Sequence, residues 1–413
     1  MGLKEIDERV LRQVFAGDLN PATRDAFGRL RVSQVQTLFD SKQLVDAQPL
    51  YFDDQQTTGS GTTSTYTAAK TASVMAVSNL TAGTRVRQTF RRFNYQPGKS
   101  QLAYITFTGQ APQTGITRRV GLFDQNNGVF LEQTSAGMFF VIRNATVDTT
   151  RIPQSQWNVD KCNGTGESRV NIDLSKSQIL TIDFEWLGVG IVRWGFVVAG
   201  VFVTAHVQSH SNVVTQVYHA NPNLPIRYEI SNSGTGPIAT FDAICSSVMS
   251  EGGIQKTGVE RSIDRGTAGF TTLNDANLYP TIGLRLKSTH LMGTIDLNGF
   301  SLLCTSTAAY RYVLCLRPTL AGTAVTWSDL ANSCLQYSTP GNGSTVSGEG
   351  TAIRSGYENT GATATPASVQ NIGGFLTIGS LIDGTPTELW LCVQRLTGTT
   401  ETFYPVISWS ELL

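Results

Sequence analysis

"QILTIDFEWLGVGIVRWGFVVAGVFVTAHV", residues 178–207, decides the fold class. In its first half Ile179, Thr181, Asp183 and Glu185 alternate with Leu180, Ile182, Phe184 and Trp186. That period of two gives a strand one polar and one apolar face. The second half sets two β-branched runs on either side of Ala199 and Gly200, the spacing of a hairpin closed by two residues. Its most apolar part, residues 196–205, is too short to cross a bilayer.

The same grammar extends in both directions. "TRVRQTFRRFNYQPG" (84–98) alternates, and "VGLFDQNNGVFLEQT" (120–134) carries a turn signal at Asn126, Asn127 and Gly128 between two apolar runs. "GMFFVIRN" (137–144) supplies a further strand, and Pro225 predicts an edge-type strand in "NPNLPIRYEISNSG" (221–234). "SEGGIQKTGVERSIDRGTAG" (250–269) interrupts the pattern with glycine and charge; β runs then resume to the end of the chain, except in a loop-rich region, 335–367. Strands this frequent, without helical periodicity between them, predict sandwiches rather than a parallel α/β sheet.

The first fifty residues differ. Ile6, Val10, Leu11, Val14 and Phe15 form one helical stripe ended by Gly17, and Pro21 and Gly28 rule out a continuous helix beyond it. A short amphipathic segment cannot bury its stripe alone, so this region reads as an arm that lies on another surface. The expected organisation is all-β: two β-sandwich domains, jelly-roll or lectin-like, preceded by a helix-plus-extended arm. The boundaries are 1–50 for the docking arm, 51–252 for the first sandwich, 253–270 for a linker and 271–413 for a second, smaller β domain.

Composition narrows the function classes. Apolar residues make up 40% of the 413, and charged residues only 15%, against about 25% in ordinary domains. Net charge is zero, so neither nucleic acid nor an acidic membrane attracts the chain at long range. The cluster Arg85, Arg87, Arg91 and Arg92 reads as a strand face paired with acids. Six cysteines stand singly, which suits buried small apolar residues in a protein made in a reducing cytoplasm.

Catalytic and metal chemistry find little support. His206 and His210 would share one strand face but lack a third ligand, and are expected on an exposed surface. Asp183 and Glu185, with Asp173 near, could form a carboxylate pair only beside an aromatic cleft, and Trp186 and Trp194 read as core. Asp53, Asp54 and the turn at Asp124 offer oxygen ligands for calcium without an EF-hand pattern. No enzyme, cofactor or metal site is expected.

"DAFGRLRVS" (25–33), "FDSKQ" (39–43), "GVGIVRWGFVVAGVFVTAHVQSHSN" (188–212), "CSSVMSEGG" (245–253) and the closing "LWLCVQRLTGTTETFYPVISWSEL" (389–412) resemble structural proteins of tailed phages and some large viruses, labelled fibre or capsid-associated. The resemblance implies a non-enzymatic virion protein, made in the host cytoplasm, whose partners are capsid or tail proteins and copies of itself, a trimer being favoured by analogy. In that setting Arg24, Arg29 and Arg31 would bond acidic groups of a platform while Phe27, Leu30, Val32, Leu38 and Phe39 bury against it. Deleting residues 1–43 would then leave a folded protein that no longer joins particles. The alternative is a receptor-binding fibre or spike that recognises host-surface glycans through Tyr337, Asn342, Tyr357 and Asn359. Neither nucleic-acid binding nor membrane insertion is expected.

Overall fold

The computed structural model describes residues 34–253, 255, 258–359, 367–370 and 378–412. The expected N-terminal helix therefore lies outside the described residues. Among those described there is no α-helix, and antiparallel strands make up four large sheets and one small one.

The first two sheets face each other. One has the order Val201–Gln208, Val192–Val198, Ser177–Phe184, Ser100–Thr108, Ala239–Glu251, Ala72–Val77, Thr62–Thr67, with Val35–Lys42 also paired to Ala239–Glu251. The other runs Val147–Pro153, Gly137–Asn144, Gly128–Thr134, Ile116–Phe123, Ile226–Asn232, Gly83–Thr89, Phe52–Gly59. The alternation read in residues 178–186 is realised: Leu180, Ile182 and Phe184 are fully buried, in one cluster with Ala103 and Ile105 of the same sheet and Val120, Leu131 and Phe140 of the facing one. Phe140 stacks on Trp157 and Trp194 at centroid distances of 4.1 and 5.3 Å. Removing each such large side chain from water contributes about 1.5–3 kcal/mol. Ala199 and Gly200 close the hairpin with φ of 52° and 80°, the left-handed pair that a two-residue turn of this kind needs.

The second pair comprises a five-stranded sheet built on Thr294–Cys304 and Thr402–Leu412, and a six-stranded sheet. The six strands are ordered Ser328–Asp329, Leu335–Ser338, Leu278–Leu286, Leu389–Arg395, Ala309–Leu316, Thr351–Asn359. Ile295, Ile407 and Trp409 of one meet Ile282, Leu284 and Leu391 of the other in a second core.

Three local expectations are corrected. Ile226–Asn232 is not an edge strand: it pairs on both sides, because Pro225 sits before its first residue and removes no ladder bond. The range 253–270 is not all linker, since Val259–Asp264 pairs with Thr402–Leu412 and completes an edge of the five-stranded sheet. Residues 335–359 are largely strand, in Leu335–Ser338, Ser344–Gly348 and Thr351–Asn359.

Arginine burial escaped the sequence reading. On the outward face of the seven-stranded sheet Phe123, Phe130, Phe139 and Val141 form a small buried cluster. Guanidinium groups cover it, that of Arg151 lying 3.3 Å from the Phe139 ring centroid and that of Arg143 5.1 Å from Phe130. Arg119 bridges Glu132 at 2.7 Å and Glu229 at 2.6 Å, while Glu132 also holds Arg151 and Glu229 holds Arg227. Burial opposes ionisation of Glu229, but Arg227 and Arg119 more than offset it and hold its carboxyl below the usual range.

Candidate functional site

Arg24, Phe27, Arg29, Leu30, Arg31 and Val32 of the expected docking set lie outside the described residues. Leu38 and Phe39 are described, and their expected role is corrected. They belong to Val35–Lys42, which pairs with Ala239–Glu251 from Val35 opposite Glu251 to Lys42 opposite Cys245. The register shifts between Thr37 and Phe39, and this bulge turns two consecutive side chains inward. Leu38 is 4% exposed and Phe39 8%, and the Phe39 ring lies 5.3 Å from Phe93 and 6.0 Å from Phe52. Both are core residues of the first sandwich, unavailable to a platform. Gln43 fastens the strand's end: its amide donates to the carbonyls of Ala243 (2.8 Å) and Ile244 (2.7 Å) and accepts from the Ser73 hydroxyl (2.5 Å).

The four residues expected at a glycan site are not gathered. Tyr337 packs against the second core, on a strand across the six-stranded sheet from the one bearing Tyr357 and Asn359. The Asn342 amide donates to the Thr271 carbonyl at 3.1 Å. Tyr357 and Asn359 stand exposed on the sheet's edge strand, Tyr357 at 70%. The register places Tyr357 opposite Arg311, whose guanidinium holds Glu349 through two bonds of 2.6 and 2.9 Å. Those hydrogen bonds keep the Glu349 carboxyl below its ordinary value.

The carboxylates weighed for chemistry have internal partners. Asp183 pairs across strands with Arg193, although burial still raises its carboxyl above the usual range. Asp173 is exposed and bonds Ser175. Asp54 takes Arg85 at 2.6 Å and Arg87 at 3.4 Å. Asp124 takes Arg92 and the backbone N–H groups of Asn126 and Asn127 at 2.7 Å. Arg91 donates instead to the Leu38 carbonyl at 2.9 Å. Among the described residues no three His, Cys, Asp or Glu side chains are placed to hold a metal ion.

The histidines are corrected too. His206 and His210 are buried rather than on an exposed face. His210 leaves the strand, bonds the Gly190 carbonyl through Nδ1 at 2.7 Å and stacks on Tyr218 at 4.1 Å. His219 is fully buried, and neither of its ring nitrogens has a hydrogen-bond partner among the described residues. Burial pushes its pKa down to about 3.

The two sandwiches meet at a close junction. The Ile382 N–H donates to Asp53 at 2.7 Å, the Asn223 amide donates to the Met292 carbonyl at 3.1 Å, and the Arg317 guanidinium lies 4.4 Å over the Phe90 ring. A Cβ at Gly379 would stand 2.0 Å from the Phe90 carbonyl oxygen, so only glycine fits there. Beside these contacts opens a cleft of about 530 Å³ whose walls include Leu38, Phe39, Tyr51, Phe90, Leu316 and Ile353. A second cleft of about 330 Å³ is more polar, with Lys99, Arg261, Asn332 and Glu411 in its lining.

No family model matches the chain, and no curated protein matches it. Solved structures similar to it include the Emp47p carbohydrate recognition domain (TM-score 0.31, 10% identity, 55% of this chain and 99% of that one). A Lotus tetragonolobus seed lectin gives 0.32 and 12%, over 53% of this chain and 100% of that one. A protein of unknown function from Shewanella oneidensis MR-1 gives 0.33 and 10%, over 59% and 97%. Likeness at this level decides neither ligand nor partner.

Proposed function

We propose that the chain is a non-enzymatic structural protein of a tailed-phage virion, made in the host cytoplasm and built into the particle as a homo-oligomer, a trimer being favoured. In this reading each body is a jelly-roll or lectin-like sandwich that is presented on the particle or cements its neighbours, and residues 1–33 carry the docking groups for capsid or tail. The observation that carries the reading is the rooting of that segment. The chain leaves it at Gln34 and enters at once a strand held along eight residues of the large sheet, with Leu38, Phe39 and Gln43 buried behind it. A docking segment so rooted passes load into the fold through a ladder of bonds rather than through a single loop. Virions assembled with a 34–413 chain in place of the 1–413 chain test it. Loss of incorporation, with the shortened chain still folded, supports the reading; normal incorporation overturns it.

A second reading, a receptor-binding fibre or spike, draws on Tyr357. An exposed aromatic ring opposite a locked Arg311–Glu349 pair offers a sugar a stacking face beside fixed donors and acceptors. A glycan array probed with the native chain and with Tyr357→Ala tests it; signal that survives the substitution removes this site.

A further inference from the structure

The apolar cleft at the junction holds polar groups that its walls do not satisfy. Arg91 spends one amino group on the Leu38 carbonyl, yet its Nε is buried without a partner among the described residues. The Thr387 hydroxyl, on the same lining, is likewise buried and unpartnered. Arg317 lies over Phe90 and has no ion pair among the described residues. Its backbone N–H meets the Glu388 carbonyl at 2.8 Å, but the Glu388 carboxylate is directed to Arg285 and to the Trp390 indole. Of the acids in reach, Asp40 lines the cleft but sits 3.5 Å from Lys42, and Asp296 favours the Arg91 charge through its field, which leaves Arg317 without a paired acid among the described residues. Buried donors without acceptors cost about 1–3 kcal/mol each, so the two buried ones, beside the exposed guanidinium of Arg317 on the same lining, call for an acceptor from outside.

We propose that this cleft is a binding site for an amphipathic monocarboxylate, its apolar body against Phe39, Tyr51, Leu316 and Ile353 and its carboxylate among Arg317, Arg91 and Thr387. A carboxylate supplies acceptors only, matching two guanidiniums that only donate and a hydroxyl that can donate. Two guanidiniums suit it better than a neutral head group, because hydrogen bonds to a charged partner are the stronger kind. At ~30 Å³ per water-sized volume, the space admits roughly 15–20 non-hydrogen atoms, the size of a medium-chain fatty acid. Leu50, exposed at the rim, extends the apolar path outward. The site goes beyond the structural role proposed above and does not depend on it.

Titration calorimetry of the 1–413 chain with dodecanoate and, separately, dodecanol tests the assignment. The expected result is saturable one-to-one binding of dodecanoate below millimolar concentration, with dodecanol weaker by about tenfold or more. Arg317→Met, which keeps an apolar stem, should lose about tenfold in dodecanoate affinity while leaving dodecanol unchanged. Ile353→Trp, which fills the cleft without changing charge, should abolish both. Equal binding of acid and alcohol, binding untouched by either substitution, or no saturable binding overturns the proposal. Where a variant does not fold, a diazirine-bearing fatty acid photocrosslinked to the unaltered chain locates the site: labels on the peptides bearing Leu316 and Tyr51 support it, and labels elsewhere refute it.

Discussion

Two truncations ten residues apart should behave as different proteins. A chain starting at Gln34 keeps the strand Val35–Lys42, whereas one starting at Leu44 loses it together with Gln43. The second cut removes Leu38 and Phe39 from the core, about 2–5 and 3–5 kcal/mol respectively when each is reduced to alanine. It also removes the three side-chain bonds of Gln43 and uncovers the ladder edge of Ala239–Glu251. Each bond is worth about 1 kcal/mol net. Discounting for relaxation and for a compact unfolded state, the loss is on the order of 6 kcal/mol, comparable to the whole stability of an ordinary domain. At roughly 2–4 °C per kcal/mol, the thermal midpoint of the first sandwich should fall by about 12–24 °C. Urea unfolding followed by tryptophan fluorescence, alongside calorimetry, separates the cases, because Trp157 and Trp194 report on this core. Equal midpoints for the 34–413 and 44–413 chains would refute the placement of Leu38 and Phe39, and would restore the expectation that residues up to 43 can be deleted without harm.

Three other outcomes are expected. Gly379→Ala should cost about 1–3 kcal/mol through overpacking against the Phe90 carbonyl and should loosen the junction, seen as new proteolytic cleavage between the sandwiches; an unchanged digestion pattern argues that the contact is absent in solution. Acid should weaken the first sandwich through His219: the unfolded chain takes up a proton near pH 6.5, while the folded site resists down to about 3. Stability contributed by the neutral ring is therefore complete above pH 6.5 and falls by about 1.4 kcal/mol per unit below it. Unfolding free energies from urea titrations at pH 7 and pH 5 should differ by about 2 kcal/mol, a gap that His219→Phe narrows, and a pH-independent free energy would count against the burial. The native chain should react with a thiol reagent at Cys245 alone, slowly because burial raises that thiol, the other five cysteines being buried, and all six should react in denaturant.

Legibility tracked how local each signal was. The strand of residues 177–184 and the hairpin at Ala199–Gly200 were plain, because a period of two and a left-handed turn are written in neighbouring residues. Of the four arginines expected on a strand face paired with acids, Arg85 and Arg87 meet Asp54 from the strand, whereas Arg92 reaches Asp124 from beyond the strand's end and Arg91 bonds the Leu38 carbonyl. Leu38 and Phe39 misled because a bulge buries two consecutive residues, which reads in sequence as a broken alternation and so as an arm. His206 and His210 misled through their spacing of four: the strand ends at Gln208, and the second ring swings inward onto Tyr218. The cleft was illegible, since its two sides come from stretches more than 220 residues apart, and nothing near Phe90 announces that Gly379 will touch it.

That junction changes what the N-terminal strand can do. Arg91 binds the Leu38 carbonyl from the segment just after Gly83–Thr89, and Phe90, its neighbour, carries the contacts with Gly379 and Arg317 of the second sandwich. Leu38 and Phe39 line the cleft from one side while Leu316 and Ile353 line it from the other. The root of the N-terminal segment, the cleft and the inner corner of the six-stranded sheet are thus parts of one contact system, and close-packed contacts of this kind transmit displacement rather than absorb it. A ligand seated in the cleft would touch both sandwiches and the root strand together, so it should raise the unfolding midpoint of the 34–413 chain while leaving the 44–413 chain, which lacks one wall, unaffected. Equal stabilisation of both chains would show that the wall built by Leu38 and Phe39 takes no part.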